Sequence, residues 1–138
     1  MVPISKEITS IGSLYKRIVT VPNGVDTTLV VFKSTVGIGA DAVMDINNVK
    51  YIRVTNLDGT NSVNLSLQID TAEDNTAAAD SCSILLEAGN SFMMGSPEDG
   101  IAVDDDAATL ITALVDLQSI IIDSSSNDVD VEVLVAST

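Results

Sequence analysis

Apolar and polar side chains alternate with period two along most of this chain, the spacing that puts one set on a core and the other in water. Across 63–69, Val63, Leu65, Leu67 and Ile69 fall on one side, with Asn64, Ser66 and Gln68 on the other. A helix would scatter that set around its circumference. Across 129–135 four valines alternate with Asp130, Glu132 and Leu134, which predicts a closing strand with one apolar face and one mostly acidic face whose like charges need solvent. Residues 51–56 read as a further strand, with Ile52 and Val54 inward and Arg53 and Thr55 outward. The turn-prone 57–61, where Asp58 and Gly59 tolerate positive φ, predicts a hairpin in which the strand from Val63 returns antiparallel to 51–56.

Turn signals recur at strand-length intervals elsewhere. Pro22, Asn23 and Gly24 separate a strand over 15–21 from one over 27–36, and 124–128 separates 120–123 from the closing strand. Residues 71–80 are polar and alanine-rich without periodicity, so they read as a loop to the strand around Cys82, long enough to cross between sheets. The stretch 104–116 stays open. Asp104, Asp105 and Asp106 suit the positive end of a helix carrying Leu110, Ile111, Leu114 and Val115 at helical spacing, while 109–115 suits a strand equally. Roughly eight to ten strands predict an all-β fold, an antiparallel two-sheet sandwich of jelly-roll topology, with at most one short helix near 105–115. The expected organisation is a single domain over 12–138, preceded by 1–11 as either a docking arm or the first strand.

Composition narrows the core and the chemistry. Aromatics are 3% of the chain and tryptophan is absent, so a 46% apolar content must pack as Val, Ile, Leu and Ala. Sugar and single-stranded nucleic acid modules stack their ligands on flat aromatic platforms, and only Tyr15, Phe32, Tyr51 and Phe92 are available for that. With no histidine, Ser81, Ser83 and Ser91 have no partner for a hydrolase triad, and the common zinc sites cannot be assembled. Cys82 is the single cysteine, so it makes no intramolecular disulfide; set between Ser81 and Ser83 ahead of Ile84, it reads as a small core residue. Gly12, Gly37 and Gly39 lack the lysine and hydroxyl residue that complete a phosphate loop. Paired carboxylates are expected by chance among twenty acids, and without aromatic subsites they do not make a glycosidase. The cluster Glu98, Asp99, Asp104, Asp105 and Asp106 with Gly100 is rich in oxygen, but its spacing is not that of an ordered calcium loop, and helix capping accounts for it. The expectation is therefore a protein without catalytic residues, cofactor or metal.

Charge is distributed unevenly. Every lysine and arginine lies at or before position 53, giving that part net +2, whereas the remainder holds sixteen acids and no base; the whole is −14. A surface built mainly from the second part repels phosphate backbones and anionic lipid, so neither a nucleic acid nor a membrane is an expected partner. No run approaches the roughly 18 apolar residues needed to span a bilayer, and the start lacks a signal-like apolar stretch, which points to a cytoplasm as the place of synthesis. Lys16, Arg17, Lys33 and Arg53 either simply occupy outward strand positions or help form a basic face that orients an acidic body onto an acidic partner.

Three segments, YIRVTNLDGTNSVNLSLQI from Tyr51, LLEAGNSFMMG from Leu85 and the closing VDVEVLVAST, resemble small β proteins of tailed bacteriophage virions of the marine and cyanophage type. The resemblance implies a jelly-roll virion protein without enzymatic activity, specifically a capsid decoration or cement protein, a homotrimer bound to the major capsid protein. It would be located on the capsid surface, and in the host cytoplasm during assembly. Such a protein stabilises the shell by bridging neighbouring subunits, so that local opening must also break the bridge. Residues expected to dock it are Val2, Ile4 and Lys6 in the first segment, with Lys16 and Arg17 behind them. The alternatives are a tail, collar or fibre-associated adaptor, or a cellular β-sandwich that binds a ligand.

Overall fold

A computed structural model describes residues 7–33, 43–69, 80–95, 102–103 and 115–138. Among the described residues ten strands run in chain order: β1 Ser13–Val21, β2 Thr27–Lys33, β3 Val43–Asp45, β4 Val49–Asn56, β5 Val63–Ile69, β6 Asp80–Leu86, β7 Ser91–Gly95, β8 Ala102–Val103, β9 Val115–Asp123 and β10 Val129–Ser137. One 3-10 turn, Ile46–Asn48, is started by Asp45, whose side chain accepts from the Asn47 amide. One sheet has the order β1-β10-β4-β7 and the other β3-β2-β9-β5-β6, with β8 also on β9.

The antiparallel pairs are nested. β1 pairs β10, β2 pairs β9, β4 pairs β7 and β5 pairs β6, and the joins β10 to β4 and β9 to β5 close the two sheets. A long two-stranded ribbon rolled on itself has this connectivity, which is the jelly roll expected from the strand count. The core between the sheets is aliphatic, with Ile52, Val54, Leu65, Leu117, Ile120, Ile122 and the valines of β10 buried around Phe32, the one fully buried aromatic residue in it. Tyr15 and Phe92 pack against this core from its margin.

The expected hairpin between β4 and β5 does not form. β4 and β5 lie in different sheets, and the 57–62 segment is a corner that carries the chain from one to the other. Asn56, fully buried at the end of β4, holds the corner together: its Nδ2 donates to the carbonyls of Asn61 and Leu86, and its Oδ1 accepts from the Asp58 amide. Asp58 Oδ1 then accepts from the amides of Thr60 and Asn61. These side-chain bonds satisfy the turn locally, so it does not depend on a ladder between its flanking strands.

Three further corners stand at the same end and are tied to it. The Asn56 amide donates to Asn90 O and the Gly89 amide to Asn56 O, so the β6 to β7 corner, with Gly89 at φ 74, is stitched onto β4. Gly24, at φ 68 between β1 and β2, donates to Ser124 O, and the Asn23 amide donates to Asp128 Oδ1 in the β9 to β10 corner. Asn127 Nδ2 reaches Asn61 Oδ1, and the Leu57 amide reaches Asp130 O.

Other expectations shift as well. β5 and β6, the strands on either side of the 71–80 segment expected as a possible sheet crossing, are paired neighbours in one sheet; residues 70–79 themselves lie outside the described residues, as do 34–42 and the 104–114 stretch left open between helix and strand. β9 begins at Val115, earlier than the 120–123 expected. Cys82 is exposed rather than buried. It sits on the core-facing side of β6 opposite Leu67, but β6 is an edge strand whose burial declines from Leu86 through the partly buried Ile84 to Cys82.

Candidate interaction surface

The outer face of the β1-β10-β4-β7 sheet is the candidate surface. Register assigns its rows: Leu14, Ala136, Tyr51 and Gly95; then Lys16, Leu134, Arg53 and Met93; then Ile18, Glu132, Thr55 and Ser91; then Thr20 and Asp130. Seven large hydrophobic residues are exposed among the described residues, and Leu14, Ile18 and Met93, each 61% exposed, all belong to this face, with Leu57 at its lower end. Leu14 and Ile18 flank Lys16 on β1 and Met93 lies on β7 at the opposite edge, so these exposed apolar groups border the charged centre of the face rather than forming one continuous patch.

Charge at its centre is organised. Glu132 lies between two bases: Arg53 Nη2 donates to Oε1 at 2.9 Å, and Lys16 Nζ stands 3.7 Å from Oε2. The Glu132 side chain is only 16% exposed. The acidic face expected of the last strand is thus divided: β1 and β4 bring two of the bases of the first 53 residues to Glu132, while Asp130 stays exposed. Arg53 Nε is buried without a hydrogen-bond partner. Lower down, Thr20 Oγ1 donates to Asp130 Oδ1 at 2.6 Å, and an open depression of about 590 Å³ is bordered by Ile18, Leu57, Asp58, Asp128 and Asp130. Backbone donation from Asn61, and then from Thr60, holds the Asp58 carboxyl below its ordinary range.

The other sheet presents a different outer face. Asn64, Ser66 and Gln68 of β5 lie beside Ser81 and Ser83 of β6 and Ile121 and Asp123 of β9. Gln68 Nε2 donates to Ser66 Oγ at 2.7 Å, and a shallow depression of about 350 Å³ there is polar apart from Ile121. Leu85 is its exposed large apolar residue.

Of the expected docking residues, Val2, Ile4 and Lys6 lie outside the described residues. Lys16 is on the candidate face, whereas Arg17, opposite the buried Val133, is on the core-facing side of edge strand β1 and is exposed at the sandwich margin. Glu7–Gly12 precede the first strand, and Ile11 is 38% exposed. The acids of 98–106 lie outside the described residues, and among those described no group of three or more His, Cys, Asp or Glu is placed to hold a metal ion. Sequence reasoning passed over Leu14, Ile18 and Met93, and the signal was present: in 13–21 both alternating sets contain apolar residues, so one of them had to face outward.

No protein-family model and no curated protein matches this chain. Among solved structures, a chain from the disulfide-linked pili of Bacillus endospore appendages aligns over 99% of this chain and 98% of its own, at 10% identity and a TM-score of 0.43, a likeness that carries no functional argument.

Proposed function

We propose that this protein is a non-enzymatic structural component of a larger protein assembly, and specifically a decoration or cement protein on the capsid of a tailed bacteriophage. The observation that carries the first part is the difference between its two outer faces. One exposes Leu14, Ile18 and Met93 around an ordered ionic centre, and the other is mostly small hydroxyl, amide and carboxylate groups. A sandwich in which one outer face sets exposed apolar side chains around an ion-paired centre, while the other is mostly polar apart from Leu85, fits a body that contacts protein on one side and water on the other. The capsid assignment rests on the resemblance of the 51–69, 85–95 and 129–138 segments to virion β proteins, and the jelly-roll topology is compatible with it. The first segment, with Val2, Ile4 and Lys6, docks the protein to the major capsid protein in this reading.

A ligand-binding module is disfavoured by the aromatics. Tyr15 and Phe92 pack against the core, and Tyr51, on the outer face, is half-buried and borders neither depression, which leaves no exposed aromatic platform beside a groove for stacking a sugar. The copy number of the protein in purified particles, measured against the major shell protein by quantitative mass spectrometry, tests the proposal. A ratio near that of the shell subunit supports decoration, a few copies per particle move the protein to the tail or collar, and absence removes the virion reading. Deleting residues 1–7 is expected to abolish capsid binding with the fold intact, and retained binding would remove the docking arm.

A further inference from the structure

We infer that the outer face of the β1-β10-β4-β7 sheet pairs with the same face of a second copy, across a two-fold axis that lies in the interface and runs perpendicular to the strands. The inference rests on the reading of this face as a protein contact and names its partner. The carrying observation is that the face has two poles. Lys16 and Arg53 stand in one row, and Asp130, with Asp128 and Asp58 beyond it, lies further along the strands. Asp130 is four residues from Leu134, which sits between the two bases, so the poles are separated by about 13 Å at the rise of a strand.

A face with a basic pole and an acidic pole complements a copy of itself when the second is turned end for end. With the axis near the Ile18 row, Ile18 meets its own counterpart, and Lys16 comes over Thr20 of the other copy and beside its Asp130. Glu132 does not oppose this, because it is recessed and held by Arg53 and Lys16 within its own copy. Under the same rotation Leu14 comes over Pro22 just past the end of β1 of the other copy, and Met93 over its Gly89 corner. Rotation about an axis parallel to the strands would instead set base on base and acid on acid.

The size of the face sets the strength. Four strands about 4.8 Å apart over some 24 Å of strand length give at most roughly 500 Å² per copy, in the range of weak, transient contacts. The expected complex is therefore a reversible dimer. In the virion reading, such a contact between copies standing on adjacent capsomers would be the bridge itself.

The test is analytical ultracentrifugation of the full chain and of variants at exposed positions. The wild type should show a concentration-dependent monomer–dimer equilibrium below about 1 mM, weak as a small interface is expected to be. Ile18→Asp should weaken it at least about tenfold, since it buries two carboxylates against each other at the axis. Lys16→Glu and Asp130→Lys should each weaken self-association by about tenfold, and a mixture of the two should restore a heterodimer of near wild-type strength. Thermal unfolding confirms that each variant is folded, and Ile18→Asp carries the test alone if a charge variant is not. A wild type that stays monomeric to about 1 mM, a trimer, an Ile18→Asp variant with unchanged Kd, or a charge-swapped mixture that fails to recover would each overturn the inference. Particle copy number is measured independently, so a monomer found abundantly on capsids would sink the dimer and leave the proposed function standing.

Discussion

Arg53 Nη2 donates to Glu132 Oε1 at 2.9 Å even though the two are not cross-strand partners: Leu134 is directly opposite Arg53, and Thr55 is directly opposite Glu132. The long guanidinium stem spans the diagonal, and Lys16 reaches the same carboxylate from the other side. Three strands are joined through one side chain, with the half-buried Leu134 between the two bases in its row.

Both members of the Arg53 pair are partly screened by solvent, so its net value is modest. Glu132→Gln should cost about 1 kcal/mol in urea unfolding, and the cycle with Arg53→Met should show a coupling of roughly 0.5–1 kcal/mol. A coupling indistinguishable from zero would mean that the triad sets the charge pattern of the face without stabilising the fold.

Asn56 should be among the most sensitive polar positions. It is fully buried, and its amide holds two carbonyls and one backbone N–H from the corners around it. Asn56→Ala leaves those groups unsatisfied in a site closed to water and should cost about 2–4 kcal/mol. Asn56→Asp should be at least as damaging, because it brings a carboxylate against the Asn61 and Leu86 oxygens. Chemical denaturation of both variants checks this, and a loss under about 0.5 kcal/mol would show that water can enter the corner.

Asp58 contributes a defined part of the acid sensitivity. Its carboxyl is held below its ordinary range by the Asn61 amide first, then by the Thr60 amide. A lowered folded value means that the native state binds fewer protons than the unfolded chain. The resulting stabilisation is present above about pH 4 and is lost as pH falls through the depressed folded value. Asp58→Asn should flatten the fall of Tm with acidity over that window while lowering stability at neutral pH. Parallel curves for the two proteins would assign the acid sensitivity to other carboxylates.

The sequence carried the strands well and their partners poorly, for a physical reason. Alternation reports which side chains of a strand are buried, and so 63–69 and 129–135 emerged with nearly their observed bounds. It does not report which strand lies alongside. The 57–61 segment has the composition of a hairpin turn, yet it is a corner between sheets, held by Asn56 through Leu86 and Asn61, far and near in sequence, a relation that composition does not carry. The candidate face was half legible. Lys16 and Arg53 stood out as scarce bases, but their convergence on Glu132 requires β1 and β4 to flank β10, a relation that spans the length of the chain.

Cys82 separates the two ways of reading an alternating strand. Parity groups it with Ile84 and Leu86, which predicts a buried thiol that reacts only when the protein opens. The edge position of β6 exposes it instead. Native protein without denaturant should therefore titrate its single thiol with a disulfide reagent at a rate close to that of the unfolded chain. Cys82→Ser should change stability by less than about 0.5 kcal/mol, because no packed volume is removed and the new hydroxyl remains in water. Reaction slowed by orders of magnitude in the folded state, together with a loss of about 1–2 kcal/mol on substitution, would instead place the side chain in the core.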